Sequence, residues 1–74
     1  MEEQIIGFFE RAYGREPGSL SLETNIKQEL GVKSMPLLAV IANIENEFDV
    51  EYPLMQASRA ETIGALVEGV RERL

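Results

Sequence analysis

The sequence contains no cysteine and no histidine in its 74 residues. Without these side chains it cannot form disulfides, thiolate nucleophiles or zinc sites of the usual ligand types. It also lacks the imidazole that most often performs acid–base catalysis or activates a hydroxyl nucleophile. The composition therefore predicts a protein that is not an enzyme and has no metal centre.

Long apolar runs and an excess of positive charge are also missing. No stretch approaches the ~20 apolar residues that cross a bilayer, and the acidic start, MEEQIIGFF, lacks the basic segment of a secretion signal. We therefore expect a soluble, cytoplasmic protein. Thirteen acidic residues against seven basic ones give a net charge of −6, which repels nucleic acids and anionic lipids. Basic protein surfaces are the expected partners.

Helical periodicity dominates what is present. Apolar residues recur every three or four positions in residues 2–13, 35–48 and 63–74, and no segment alternates with the period of a strand. Residues 53–59 can form one or two turns of an additional helix. The length allows one domain, residues 1–74. We predict an all-α fold, a small four-helix bundle with three main helices and a short one between the second and the last.

The spacing also predicts which side chains are buried. Glu2, Glu3 and Glu10 are expected to lie towards water on the first helix, and Thr62 is expected to cap the last one. A long loop, running to about Gly31, separates the first two helices. The predicted core residues are Ile5, Ile6, Phe9 and Tyr13 in the first helix, Leu20, Leu22, Ile26 and Leu30 in this loop, Leu37, Val40, Ile41, Ile44 and Phe48 in the second helix, and Ile63, Leu66, Val67, Val70 and Leu74 in the last.

Ser34 stands between a glycine turn and the apolar run of the second helix. Serine is a favoured N-cap, and Pro36 suits the first turn, where an amide hydrogen has no partner within the helix. A hydroxyl at such a position faces unpaired backbone amides that stabilise an attached anion. No histidine base and no Gly-x-Ser-x-Gly turn is present to activate it. Ser34 is therefore expected either to cap the helix and nothing more, or to be esterified by another protein.

Three motifs, in order along the chain, resemble segments of the acyl carrier protein family. Residues 30–35, LGVKSM, are similar to the Leu-Gly-x-Asp-Ser-Leu segment at which that family carries its prosthetic group. Residues 44–53, IENEFDVEYP, resemble its Leu-Glu-x-Glu-Phe-x-x-x-Ile-Pro segment, and residues 62–64, TIG, resemble the Thr-Val-Gly that opens its last helix. Each motif is weak alone, but their order and spacing together are fairly specific.

The resemblance implies a carrier. A phosphopantetheinyl transferase would attach 4'-phosphopantetheine from coenzyme A to Ser34, making the chain a phosphoprotein. The arm would hold an acyl or aminoacyl group as a thioester and present it to acyl-loading and acyl-processing enzymes. The protein would act as a monomer in fatty acid, polyketide or specialised lipid biosynthesis, and the sequence leaves its cargo open.

One residue departs from the family at the attachment motif. Lys33 stands where the family has an aspartate, directly before the serine. This reversal of charge either alters recognition by the transferase or places a cation beside the phosphate of the attached arm.

Two sets of residues are candidates for docking partner enzymes. Carboxylates at a partner-facing position of the family would steer association, although each one taken singly is more often an ordinary solvated charge. Exposed apolar side chains would dock partners by burial, although Met and Leu at helical spacing are more often core residues. The acidic set is Glu45 and Glu47, and the apolar set is Met35, Leu38, Leu54 and Met55.

Two other functions fit the same residues. The chain could be an adaptor with a carrier fold that is never modified, in which Lys33 marks the lost modification. It could instead be an independent acidic bundle that binds a basic protein, with Ser34 only as a cap. Addition of a phosphopantetheine arm by a transferase would separate the carrier from both alternatives.

Overall fold

Helices form where the apolar periodicity predicts them. The computed structural model describes residues 1–31 and 34–74, and these residues contain four α-helices, one short π-helical turn and no strand. The all-α prediction is confirmed. No helix in this part of the chain is long and apolar enough to cross a bilayer. The elements are α1 (Glu2–Ala12), the π-helical turn (Ile26–Leu30), α2 (Ser34–Phe48), α3 (Leu54–Arg59) and α4 (Ile63–Arg71).

Apolar side chains from every one of these elements meet in one core. Most of the predicted core residues are buried, and five are half-buried against the others: Ile6, Tyr13, Leu20, Leu22 and Phe48. The prediction for Leu74 is wrong, because α4 ends at Arg71 and leaves this side chain 66% exposed. The fully enclosed side chains include Ile5, Phe9, Val40, Ile44, Tyr52, Ile63, Leu66, Val67 and Val70.

Glu10 corrects the predicted solvent-facing side of α1. Its side chain is only 7% exposed, because the loop after α1 folds back over it. One carboxylate oxygen, Oε2, accepts hydrogen bonds from the amides of Gly18 at 2.8 Å and Leu20 at 3.2 Å. A buried carboxylate is tolerated when backbone donors satisfy it. Glu10 therefore fastens the start of the long loop to α1.

The end of the same loop is fastened to the beginning of α4. The Ile26 amide donates to the Glu61 carbonyl at 2.8 Å, and the Gly64 amide donates to the Leu22 carbonyl at 2.8 Å. The side chain of Thr62 accepts a hydrogen bond from an amide of the first turn at 3.0 Å, which confirms it as the N-cap of α4. These bonds fix the loop where it approaches the start of α2.

The segment between α2 and α4 turns where the sequence predicts. Asp49 follows the last residue of α2 with a positive φ of 54°, a left-handed conformation that stops an α-helix and that aspartate tolerates better than most residues. Pro53 then takes the N-cap position of α3. Tyr52, the residue before this proline, is 2% exposed and anchors the connection in the core.

Candidate functional site

The π-helical turn is held by reciprocal hydrogen bonds that link its N-cap, Asn25, and its own residue Glu29 to the backbone. Asn25 Oδ1 accepts from the Gln28 amide at 2.9 Å, and Glu29 Oε2 accepts from the Asn25 amide at 2.8 Å. Gly31 ends the turn with a φ of 88°, and its amide donates to the Ile26 carbonyl at 3.0 Å. The pattern satisfies backbone donors at the start of the turn as a capping box does in an α-helix. It gives the segment before α2 a defined position.

Ser34 is exposed and is the first residue of α2. The sequence predicted Ser34 as the N-cap, with the helix beginning after it, whereas Ser34 is itself the first helical residue. A difference of one residue is within the usual uncertainty of helix ends. Leu37, one turn further along, is buried and holds the start of the helix on the core. Pro36 has no amide hydrogen, so it adds no unpaired donor to this first turn. Lys33 lies outside the residues that the structure describes.

An apolar cavity of about 220 Å³ opens beside Ser34. It lies where α2, α3 and the π-helical turn come together. Tyr13, whose ring stacks on Phe9 with centroids 6.0 Å apart, closes one part of the wall, and burial raises the pKa of the Tyr13 hydroxyl. The residues that line the cavity are Tyr13, Ile26, Lys27, Gly31, Ser34, Leu37, Leu54, Met55, Ala57, Ser58 and Ala60.

The apolar set surrounds the same place on the surface. Met35 and Leu38 lie on the outer side of α2, with exposed fractions of 77% and 44%, and Leu54 and Met55 begin α3, with 38% and 66%. Leu54 and Met55 also line the cavity. Large apolar side chains that are exposed together mark candidate interaction surfaces. The structure thus brings the apolar set next to Ser34.

The acidic set lies near the other end of α2. Glu45 is half-buried, and its Oε2 accepts a hydrogen bond from the Tyr52 amide at 2.9 Å. Glu47 is exposed. With a rise of 1.5 Å per residue, these carboxylates lie roughly 16 to 20 Å from Ser34 along the helix axis. Glu45 therefore has a structural role in the connection after α2. Glu47 is the more exposed of the two carboxylates and the more accessible to a partner.

The sequence did not predict that Lys27 lines the cavity beside Ser34. Of the lining residues that the structure describes, Lys27 alone carries a charge. The Asn-x-x-x-Glu spacing of Asn25 and Glu29 is the signal in the sequence for an ordered turn at this place. Which side of that turn faces the cavity depends on packing against α2 and α3.

Residues 3–70 match the sequence profile of a family described as "Phosphopantetheine attachment site". This protein belongs to that family. It is 34% identical over 58 residues to an acyl carrier protein of Amoebophilus asiaticus, an alignment that covers 78% of this chain and 72% of the relative. It is 24% identical over 72 residues to an acyl carrier protein of Rickettsia bellii, covering 97% of this chain and 84% of that one.

A solved structure has the same fold. It is the solution structure of the apo doublet acyl carrier protein from prodigiosin biosynthesis, which superposes with a TM-score of 0.79 at 24% sequence identity. The match covers 97% of this chain, which spans 35% of the length of that doublet protein.

Family membership defines the general role of this carrier protein. It is a carrier rather than a catalyst, and its prosthetic group is a covalently attached 4'-phosphopantetheine. A carrier of this kind interacts with a phosphopantetheinyl transferase and with biosynthetic enzymes. The residues present fit such a group, because the exposed Ser34 at the start of a helix lies beside an apolar cavity, and Lys27 is the charged residue among the described residues that line it.

Proposed function

We propose that Ser34 receives the 4'-phosphopantetheine arm, and that residues 1–74 act as one carrier domain that presents acyl or aminoacyl groups to biosynthetic enzymes. The observation that carries this proposal is the exposed Ser34 hydroxyl at the start of α2, within the region that matches the family. The attached arm supplies a terminal thiol, on which such a group is held as a thioester.

The chain contributes position to this process and leaves the chemistry to its partners. Formation of the bond from Ser34 Oγ to the pantetheine phosphate of coenzyme A removes the hydroxyl proton and releases the adenosine bisphosphate. No histidine is available in the sequence to accept that proton, so a base of the transferase must take it. The first amides of α2 face the phosphate that results, which favours its negative charge.

The cavity beside Ser34 suits an apolar cargo. Its wall is formed mainly by aliphatic side chains, among them Ile26, Leu37 and Leu54. Burying apolar surface there is favourable by about 25 cal/mol per Å², whereas a charged cargo would lose hydration. An aliphatic acyl group is therefore the cargo that this site favours.

Partner enzymes are proposed to dock on the surface around Ser34. The apolar set, Met35, Leu38, Leu54 and Met55, offers exposed apolar area next to the arm, and its burial would supply affinity. Glu47 and Glu45, near the far end of α2, would chiefly steer association, because rim charges act mainly on the rate of encounter. Lys33 is proposed to pair with the phosphate of the arm, as its place in the motif suggests.

The attachment is tested by intact mass. The purified chain is incubated with coenzyme A, magnesium and a broad-specificity phosphopantetheinyl transferase, and a single arm is expected to be added. Ser34→Ala should remain unmodified. Ser58→Ala is the matched control, because Ser58 is also an exposed serine in the cavity wall but its hydroxyl donates to the Met55 carbonyl at 2.8 Å. Loading of Ser34→Ala, or failure of the parent chain with every transferase tried, including that of its own host, would contradict the proposal.

A further inference from the structure

Lys27 and Ser34 are brought to the wall of one cavity by the fold, although they lie seven positions apart in the sequence. Both residues line the same cavity of about 220 Å³, and the other lining residues in the described part of the chain are uncharged. An anion attached to the Ser34 hydroxyl therefore lies at the mouth of a cavity to whose wall Lys27 contributes. Attraction between such charges extends over the Debye length, about 10 Å at 0.1 M salt.

The backbone at Lys27 is ordered rather than free to move away. Its neighbour Ile26 is bonded on both sides, through its amide to Glu61 and through its carbonyl to Gly31. Asn25 caps the turn from the preceding position. Only the side chain of Lys27 needs to be ordered when it meets an anion, which limits the entropic cost of the contact.

Few charges compete for the Lys27 ammonium group. The nearest carboxylate in sequence is Glu29, and its Oε2 already accepts the Asn25 amide at 2.8 Å. Residues 30–44 contain no acidic side chain. Within the described part of the chain, Lys27 forms no ion pair, since both ion pairs found there belong to Arg71.

From this placement we propose that Lys27 binds the phosphodiester that links the arm to Ser34, and so holds the base of the arm at the mouth of the cavity. The inference rests on the proposed attachment at Ser34. It assigns to Lys27 a binding role that does not depend on Lys33. A lysine ammonium acts on phosphate as a point charge rather than as a bidentate donor, so arginine should substitute for it.

The test compares each protein with and without its arm. The parent chain, Lys27→Gln, Lys27→Arg and the matched control Arg59→Gln are prepared in both forms, and loading is verified by intact mass. Arg59 is an exposed cation of α3 that is absent from the cavity wall. The measurements are the unfolding temperature and the phosphorus-31 chemical shift of the phosphodiester, at about 20 mM and about 1 M salt.

At low salt, attachment of the arm is expected to raise the unfolding temperature of the parent chain by about 2 °C more than that of Lys27→Gln. This difference is what the loss of one exposed ion pair is expected to cause in a domain of this length. Lys27→Arg and Arg59→Gln should behave as the parent, and the difference should vanish at high salt. The phosphorus resonance should shift in Lys27→Gln alone.

The inference is overturned if loaded Lys27→Gln matches the parent in both measurements, or if Arg59→Gln shows the same loss. The same series made for Lys33→Gln separates the two lysines, because an effect confined to that variant would assign the phosphate to Lys33. Failure of loading in the parent chain is read from the mass alone and refutes the attachment itself. The two proposals can therefore fail separately.

Discussion

Replacement of Gly69 by alanine is expected to destabilise the protein, although helix propensity predicts the opposite. Gly69 lies inside α4, where alanine is about 1 kcal/mol more favourable than glycine on propensity alone. An added Cβ would lie 2.6 Å from the Tyr52 Oη and 3.1 Å from a carbon of the same ring. The Tyr52 ring is 2% exposed, so it has little room to move aside.

The geometry sets the expected size of the effect. An ordinary contact begins at 3.4 Å, so the ring or α4 must move by about 0.8 Å to accept the methyl group. Overpacking of this kind typically costs 1 to 3 kcal/mol. After the gain in propensity, we expect the free energy of unfolding of Gly69→Ala to fall by about 1 kcal/mol, and the unfolding temperature by about 4 to 8 °C.

Gly7→Ala is the matched control. Gly7 lies inside α1, and its added Cβ would meet only the flexible end of Arg11, at 3.4 Å. We expect this variant to be more stable than the parent by about 1 kcal/mol. Both variants are measured by urea unfolding followed by circular dichroism, with a similar slope confirming that the denatured state is unchanged.

Repeating the Gly69→Ala substitution in a Tyr52→Phe background tests whether the contact with Tyr52 causes the loss of stability. Tyr52→Phe removes the Oη atom that makes the closest contact, so Gly69→Ala should be less costly in that background than in the parent. A rise in stability with Gly69→Ala as large as that with Gly7→Ala would show that Tyr52 does not obstruct the added methyl group.

Three further predictions concern the cap of α4, alkaline pH and docking. Thr62→Ala should lower the free energy of unfolding by about 1 kcal/mol, because it removes the N-cap bond, whereas an unchanged urea midpoint would contradict the role of the cap. Burial raises the pKa of Tyr52 above its ordinary value of 10.0, so the unfolded chain loses this proton first and stability should fall as the pH rises past about 10. Tyr52→Phe should lessen that fall in a pH series of urea titrations, and Tyr13, whose pKa burial also raises, should account for part of what remains. Met35→Gln and Leu54→Gln should each raise the KM for loading by a phosphopantetheinyl transferase roughly fivefold, because each loses about 1 kcal/mol of apolar contact. Unchanged kinetics in both variants would show that the apolar set does not dock this enzyme.

Patterns among residues close together in the sequence were sufficient to predict the helices and most of the core residues. The stripe of Leu37, Ile41 and Ile44 on α2 follows from spacing alone, because residues three and four apart share one face of a helix. The Thr62 cap is similarly local, since donor and acceptor lie within four residues. The motif around Ser34 was also readable from the sequence, because it occupies consecutive positions before an apolar run.

Contacts between segments that are distant in the sequence could not be predicted from such local patterns. Glu10 looks like a surface residue of α1 until the loop supplies two amides to its carboxylate. The spacing could not indicate which of the three glycines inside helices meet a neighbour. The structure shows close contacts at Gly64 and Gly69, but at Gly7 only an ordinary contact with the flexible end of Arg11.

The helical periodicity, the main core stripes and the place of Ser34 at the start of a helix follow from the order of residues alone, because each depends on residues within one or two turns of one another. The cavity beside Ser34 and the place of Lys27 in its wall depend instead on how the elements pack in three dimensions. Those features arise where α2, α3 and the π-helical turn pack together, and such packing depends on the shapes of side chains far apart in the chain.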